Sequence, residues 1–245
     1  MHKIETVWII GASEGIGAAL ATEYADRGAR LILSARSEDK LIELADTLGA
    51  NHEVVPVDVS DRASVDAAAD EVSALGPVDR VVHLAAIYDP GKIADLDSDM
   101  AAKIVTVNLT GSFHIAQVAP PLLKAGGQLA ICGSVAGYFG LPQGQIYSST
   151  KAGVINLVES LRSELAGQVD VRLISPGFVD TRLTQQNDFD MPAVISTEAA
   201  AKAIADGLQS GGFEVHFPRR LTLAMKFLRL LPYWASLRLA GRLTK

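Results

Sequence analysis

The sequence holds one cysteine, Cys132, in 245 residues. A single thiol excludes an internal disulfide framework and suits a reducing compartment. Cys132 sits in the apolar run Leu129-Ala130-Ile131-Cys132, the setting of a buried small hydrophobe rather than a nucleophile. No uninterrupted apolar stretch reaches the ~18 residues of a membrane-spanning helix. Met1-His2-Lys3-Ile4-Glu5 leads directly into a run of strand length, without the apolar core and cleavage site of a secretory leader. A cytoplasmic protein is therefore expected. His, Cys and carboxylates form no cluster at ligand spacing, so no metal is expected. Internal repeats, low-complexity segments and linkers are also missing.

Acidic residues are absent from the C-terminal end. Between Phe217 and Lys245 there are seven Lys or Arg and no Asp or Glu. The first 216 residues hold 15 basic against 28 acidic side chains, a balance of −13 within a whole-chain charge of −6. Such a body repels a polyanion, so nucleic acid is not an expected partner. The division predicts one domain over 1–216 and a basic helical extension over 217–245.

What the chain does have is 49% hydrophobic residues, which excludes disorder as its general state. Short apolar runs recur at Val7–Ile10, Leu31–Ala35, Val54–Val57, Val81–Ala85, Leu129–Cys132, Val171–Ile174 and Phe213–Phe217. Helically spaced sets lie between them: Ile16, Leu20, Ala21 and Tyr24; Leu41, Leu44, Ala45 and Leu48; Val65, Ala68, Ala69 and Val72. Alternating strands and helices predict an α/β fold, a doubly wound parallel sheet of about seven strands with helices on both faces. Strands apolar along their whole length suit a sheet buried on both sides.

The first strand ends in Ile10-Gly11-Ala12-Ser13-Glu14-Gly15-Ile16-Gly17. Glycines there permit a tight turn and close approach of a phosphate to backbone, ahead of a helix N-terminus. The spacing differs from the general Gly-x-Gly-x-x-Gly fingerprint, and its place between strand and helix supports the phosphate reading. About twenty residues on, where an acidic side chain holds a ribose 2′-hydroxyl, Ala35 is followed by Arg36. An arginine accommodates a 2′-phosphate, so NADP is expected over NAD, although Glu14 opposes that phosphate and Arg36 is also compatible with a solvated loop. Asp58-Val59 ends the third strand, placed for an adenine contact or simply for the turn before the next helix, which Ser60 or Asp61 starts. On the fourth strand, Ala85 and Ala86 leave room for something flat, and His83 is expected to be a buried, hydrogen-bonded structural residue.

Tyr147 and Lys151 stand four apart in Tyr147-Ser148-Ser149-Thr150-Lys151, on one face of a helix. A phenol with a pKa of about 10 handles protons near neutrality when a fixed ammonium stabilises its phenolate. Ser134, thirteen residues earlier, offers a hydroxyl to hold a carbonyl or alcohol oxygen against Tyr147.

Taken in order, these segments resemble the short-chain dehydrogenase/reductase family over roughly residues 4–216. The glycine loop matches, with Ile10 where the family often has threonine. Asp58-Val59 looks like its adenine contact, and Asn108 in Val107-Asn108-Leu109-Thr110-Gly111 falls at its helix asparagine. Ser134, Tyr147 and Lys151 fall at the remaining catalytic positions. Pro176-Gly177-Phe178-Val179-Asp180-Thr181 resembles the loop that touches the nicotinamide, with Thr181 on its carboxamide. The resemblance implies that Tyr147 exchanges a proton with the substrate oxygen. It implies that Lys151 lowers the tyrosine pKa and holds ribose hydroxyls, and that Asn108 bends its helix and holds a water against the lysine. It also implies a homodimer or homotetramer formed through the helices around Asn108 and Tyr147. One departure stands out: the family's Asn-Asn-Ala-Gly is here His83-Leu84-Ala85-Ala86, which removes bracing side chains and narrows the backbone's approach to the cofactor.

The expectation is an NADP-dependent oxidoreductase acting on a hydrophobic carbonyl or secondary alcohol. A nucleotide-binding redox sensor or scaffold without turnover, and an epimerase or lyase of the same family, are the alternatives. Val135, Tyr138, Phe139 and Leu141 either form an apolar substrate wall or pack their own loop. Residues 182–192, Phe189 among them, read as a short polar substrate lid. In the tail, apolar residues from Leu221 to Leu231 leave a narrow polar stripe of Thr222, Lys226 and Arg229. Tyr233 and Trp234 follow Pro232, with Arg238, Arg242 and Lys245 in register. That pattern fits a helix lying in a membrane surface, or one docked on a neighbouring subunit or over the active-site mouth.

Overall fold

The computed structural model describes residues 4–188 and 190–240. Arg242, Lys245 and Phe189 lie outside the described residues. Seven strands form one parallel sheet: β1 Thr6–Ile10, β2 Arg30–Ser34, β3 Glu53–Val54, β4 Val78–His83, β5 Leu123–Cys132, β6 Asp170–Pro176 and β7 Glu214–Phe217. Their order across the sheet is β3-β2-β1-β4-β5-β6-β7. The chain therefore runs outward from β1 to β3, then returns to the other side of β1 as β4. Ligands of such sheets gather at this reversal, beyond the C-terminal strand ends.

Each expected apolar run lies in or against the sheet. β3 is the shortest strand, yet the extended chain beyond it continues the contact: Val55 and Val57 donate to the carbonyls of Leu33 and Ala35, both at 3.0 Å. Seven helices flank the sheet: α1 Gly15–Asp26, α2 Glu38–Leu48, α3 Arg62–Ala74, α4 Ser98–Val105, α5 Gly111–Val118, α6 Gln145–Glu164 and α7 Thr197–Gln209. Leu20, Ala21 and Tyr24 bury the inner stripe of α1, as their spacing predicts, and Val65, Ala68 and Val72 do the same for α3. Asp61, Asp97 and Ser196 cap α3, α4 and α7 by accepting from N–H groups of the first turn. One face of the sheet packs on α1, α2 and α7, the other on α3, α5 and α6, giving two apolar layers. Two buried polar side chains of the sheet are linked in a chain: Trp8 Nε1 donates to Ser34 Oγ at 2.8 Å, and that hydroxyl donates to the Val55 carbonyl at 2.5 Å.

The tail folds back on the body as α8 Arg219–Leu230 and α9 Tyr233–Ala240. Phe217 belongs to β7, one residue past the expected boundary. Of the expected polar stripe of α8, only Arg229 is turned to water. Thr222 is fully buried, its hydroxyl 2.6 Å from His216 Nδ1, and Lys226 pairs with Glu214 and stands over the Tyr138 ring. Met225 and Leu228 enter the core beside them, so the outward face of α8 is largely apolar. The reason is local: β7 presents His216 and Glu214 to the helix, and polar partners draw the polar side chains inward. Among the described residues, no helix is long and apolar enough to cross a membrane.

Candidate active site

The glycine loop turns between β1 and α1. Gly11 has φ +90°, and a Cβ there would stand 2.6 Å from the Ala85 backbone nitrogen. A Cβ on Gly17 would stand 1.9 Å from the Gly11 carbonyl oxygen. Only glycine lets this turn lie against the end of β4 and lets α1 start so close to it. No side chain caps α1, because Glu14 points elsewhere: its carboxylate takes Lys40 Nζ at 3.1 Å and lies 3.8 Å from Arg182. These cations offset the repulsion that Glu14 would exert on a phosphate.

A cleft of about 340 Å³ opens over the loop. Gly11, Ser13, Glu14, Gly15, Ile16 and Gly17 line it, together with Arg36, Asp58, Val59, Ala85, Ala86 and Thr181. Ser37, Lys40 and Arg182 also line it and were not singled out in the sequence. Lys40, four residues past Arg36 on the first turn of α2, was the legible one. Asp58 supports the following turn, with Oδ1 accepting from the Ser60 N–H at 2.9 Å and its hydroxyl at 2.6 Å, while also facing the cleft. Burial pushes the Asp58 carboxyl up, but the Ser60 bonds and the Arg36 and Lys103 charges hold it below its ordinary value overall.

Asn108 sits where α4 runs into α5 through a π-helical turn, Thr106–Thr110. The Gly111 N–H reaches the Thr106 carbonyl, five residues back, and such widened turns accompany functional sites. The Asn108 side chain is fully buried and joins two segments. Oδ1 accepts from the Ile87 N–H at 2.8 Å, and Nδ2 donates to the Ile87 carbonyl at 2.9 Å and reaches Thr150 Oγ1 at 3.4 Å. The Asn108 carbonyl accepts from Ser112 Oγ at 2.6 Å.

Tyr147 and Lys151 lie one turn apart on α6, with Lys151 Nζ 5.7 Å from the Tyr147 ring centre. Lys151 is buried and donates to the Cys132 carbonyl at 2.8 Å. Ser134 starts the short helical turn Val135–Gly137, where its hydroxyl accepts from the Ala136 N–H at 3.1 Å. Burial pushes the Tyr147 phenol well up, and the hydrogen bond with Ser134 opposes this only in part. Burial also pushes the Lys151 ammonium down. The expected lowering of Tyr147 by Lys151 is thus not what the protein groups give. Desolvation of the phenol sets the direction, and the hydrogen bond of the ammonium is made to a backbone carbonyl instead.

Ser134 and Tyr147 share a second, smaller pocket of about 90 Å³. Val135 and Leu141 form part of its wall, with Pro142, Phe178 and Leu183. Leu183 also lines the long cleft, so the two spaces meet there. Of the other expected wall residues, Tyr138 is buried against Glu214 and Phe139 packs on the core. Gly177 lines the small pocket, not the cleft. Pro176, the last residue of β6, lines neither space, nor does Val179, buried in a bridge to Ile195. The contact of Tyr88 with the expected lid segment also escaped the sequence reading. Tyr88 packs edge-on against Tyr147 with ring centres 4.8 Å apart, and its hydroxyl donates to Asn187 Oδ1 at 2.8 Å. Neither has a motif; only the fold brings the loop after β4 to the polar segment after Thr181.

His83 is buried with Nε2 3.2 Å from Ser112 Oγ, and burial, helped by the Lys151 charge, holds its pKa at about 3. It is a neutral structural histidine. Burial raises the Cys132 thiol above its ordinary value, as suits a packing residue.

Residues 5–191 match the family described as short chain dehydrogenase. An uncharacterized oxidoreductase of Myxococcus xanthus (strain DK1622) is 33% identical over 237 residues, covering 93% of this chain and 92% of the relative. Another from Staphylococcus epidermidis is 32% identical over 213 residues, covering 84% and 91%. Among solved structures, an alcohol dehydrogenase from the archaeon Thermococcus sibiricus, complexed with 5-hydroxy-NADP, matches with a TM-score of 0.80 at 28% identity, over 88% of this chain and 96% of that one. A short chain dehydrogenase from Burkholderia cenocepacia J2315 in complex with NADP gives a TM-score of 0.85 over 99% and 98% of the chains. At 23% identity, that likeness is one of fold.

Proposed function

The chain belongs to the short chain dehydrogenase family and is an oxidoreductase, and we propose that it couples NADP to the carbonyl or secondary alcohol of an apolar substrate. One observation carries the reading: Ser134 and Tyr147 open on a small, mostly apolar pocket that meets the glycine-loop cleft at Leu183.

The cleft fits a dinucleotide. Gly11 and Gly17 leave a cradle that a Cβ would fill, ahead of a helix N-terminus without a side-chain cap. In this reading the glycine loop and Ser13 hold the pyrophosphate, Asp58 and Val59 the adenine, and Ala85 and Ala86 flank a ribose. Thr181 lines the nicotinamide end, Gly177 lines the adjoining small pocket, and Pro176 and Val179 hold the loop between them without facing either space. Arg36, with Lys40 beside it in the cleft, supports the choice of NADP, because paired cations recognise a 2′-phosphate. The Thermococcus sibiricus alcohol dehydrogenase, with its NADP derivative, supports the same choice.

A bound nicotinamide supplies or accepts the hydride. In the reductive direction Tyr147 gives its proton to the substrate oxygen, and in the oxidative direction it takes that proton back. Burial keeps the phenol protonated at neutral pH, the form that donates. Ser134 orients the oxygen and stabilises its developing charge. Lys151 supplies a fixed positive charge beside Tyr147, and Asn108 holds the π-helical turn against the loop at Ile87. Exposed Met100, Val105 and Phe113 on the α4–α5 segment support assembly as a homodimer or homotetramer through those helices.

A panel of apolar ketones and secondary alcohols, assayed with NADPH and NADH, tests the reading. Turnover is expected with NADPH ahead of NADH. Dinucleotide binding with no turnover across the panel would instead assign the chain to the non-catalytic sensors or scaffolds.

A further inference from the structure

The outer face of α8 and α9 is apolar where a surface helix is ordinarily polar. Leu223, Phe227 and Leu230 follow one stripe of α8, with Phe227 63% and Leu230 82% exposed. Tyr233, Trp234 and Leu237 continue it on α9, with Trp234 70% exposed. The inner stripe is already satisfied, since Met225 and Leu228 lie in the core and Thr222 and Lys226 have partners on β7. The exposed stripe is therefore not a helix waiting to dock on its own body. Contiguous exposed apolar side chains of this kind mark a contact surface.

Charge selects the partner. Arg219, Arg220, Arg229 and Arg238 are exposed, and no Asp or Glu occurs from Phe217 to Lys245. Among the described residues, none of these four arginines is in an ion pair, while Lys226 is spent on Glu214. Symmetric self-association through this face would set the arginines against their own copies with no local carboxylate between them. An anionic bilayer accommodates all the features together. Leucine and phenylalanine enter the acyl boundary, tyrosine and tryptophan sit at headgroup level, and the arginines reach lipid phosphates. We propose that α8 and α9 form a peripheral anchor that lies in the plane of an anionic lipid surface. The anchor rests on the surface because α8, with 12 residues, spans only about 18 Å.

The test uses the full chain with vesicles of phosphatidylcholine alone or mixed with phosphatidylglycerol. Co-sedimentation is expected with the mixed vesicles only, and high salt should reverse it. Trp8 is fully buried, so a blue shift of tryptophan emission on mixing reports Trp234. Charge reversals Arg220→Glu, Arg229→Glu and Arg238→Glu, all at exposed sites and checked for retained helix content, are each expected to weaken vesicle affinity roughly five-fold or more. Trp234→Ser should abolish the shift. The proposal is overturned by absence of binding to the mixed vesicles, by equal binding to neutral ones, or by insensitivity to the reversals. Concentration-dependent dimerisation that shields Trp234 from a quencher would overturn it too, giving the face to a second copy. None of these readouts depends on turnover.

Discussion

Asn108 and Ile87 form a closed pair of hydrogen bonds: the side-chain amide accepts from the Ile87 N–H at 2.8 Å and donates to the Ile87 carbonyl at 2.9 Å. The pair fastens the loop leaving β4 to the π-helical turn, and Thr150 Oγ1 at 3.4 Å extends the tie to α6, which carries Tyr147. Asn108→Ala leaves both Ile87 groups without these partners and is expected to destabilise the fold by ~1–3 kcal/mol. Urea unfolding would measure that loss. An unchanged midpoint would show that the pair carries no weight.

Tyr147→Phe keeps the ring that packs against Tyr88 and removes only the hydroxyl that carries the proton. Turnover should fall by roughly 10²–10⁴-fold, the share of a positioned acid or base. NADPH affinity, followed by nicotinamide fluorescence, should change little. A mutant with wild-type kcat would remove Tyr147 from the chemistry.

Arg36→Ala should shift cofactor choice. A charge-assisted hydrogen bond contributes about 1.5–3 kcal/mol, so kcat/KM with NADPH should drop roughly ten- to a hundred-fold relative to NADH. Lys40 lines the same cleft but is shared with Glu14, so Lys40→Ala should have the smaller effect. Preference for NADH in the wild type would refute the role given to Arg36.

His83 has a folded pKa of about 3 because burial, then the Lys151 charge, disfavours its cation. The unfolded chain titrates near ~6.5, so it binds the proton first as pH falls. Stability is complete above that value and declines toward the folded pKa, by a total on the order of 5 kcal/mol. His83→Asn should flatten this part of the profile. The readout is the difference in unfolding free energy between mutant and wild type at pH 7 and pH 4. An identical slope would mean that His83 is protonated in the fold.

Much of the site was legible because its chemistry is local. The glycine loop is one turn, and each glycine answers to backbone sterics within a few residues or across one strand contact. Tyr147 and Lys151 are set by helical period. Asp58 was readable as a turn residue and a cleft residue, and it is both. Tyr88 and Asn187 were not legible, because 99 residues separate them and no periodicity links the loops that carry them. The direction of the Tyr147 pKa was not legible either. Spacing places an ammonium nearby, but only the tertiary structure shows that burial of the phenol prevails.

The tail divides the two kinds of information most clearly. By itself the sequence determined that the segment after Phe217 is basic, rich in leucine and aromatics, and helically patterned, since composition and period need no partner. Which stripe faces inward was decided by tertiary structure. β7 offers Glu214 and His216, and turning Lys226 and Thr222 toward them satisfies polar groups that Leu223 and Phe227 cannot. Likewise the sequence determined seven apolar strands, while the return of the chain across β1 decided where the cleft opens. A strand's pattern records what it buries, and only the order of strands in the sheet records what it stands beside.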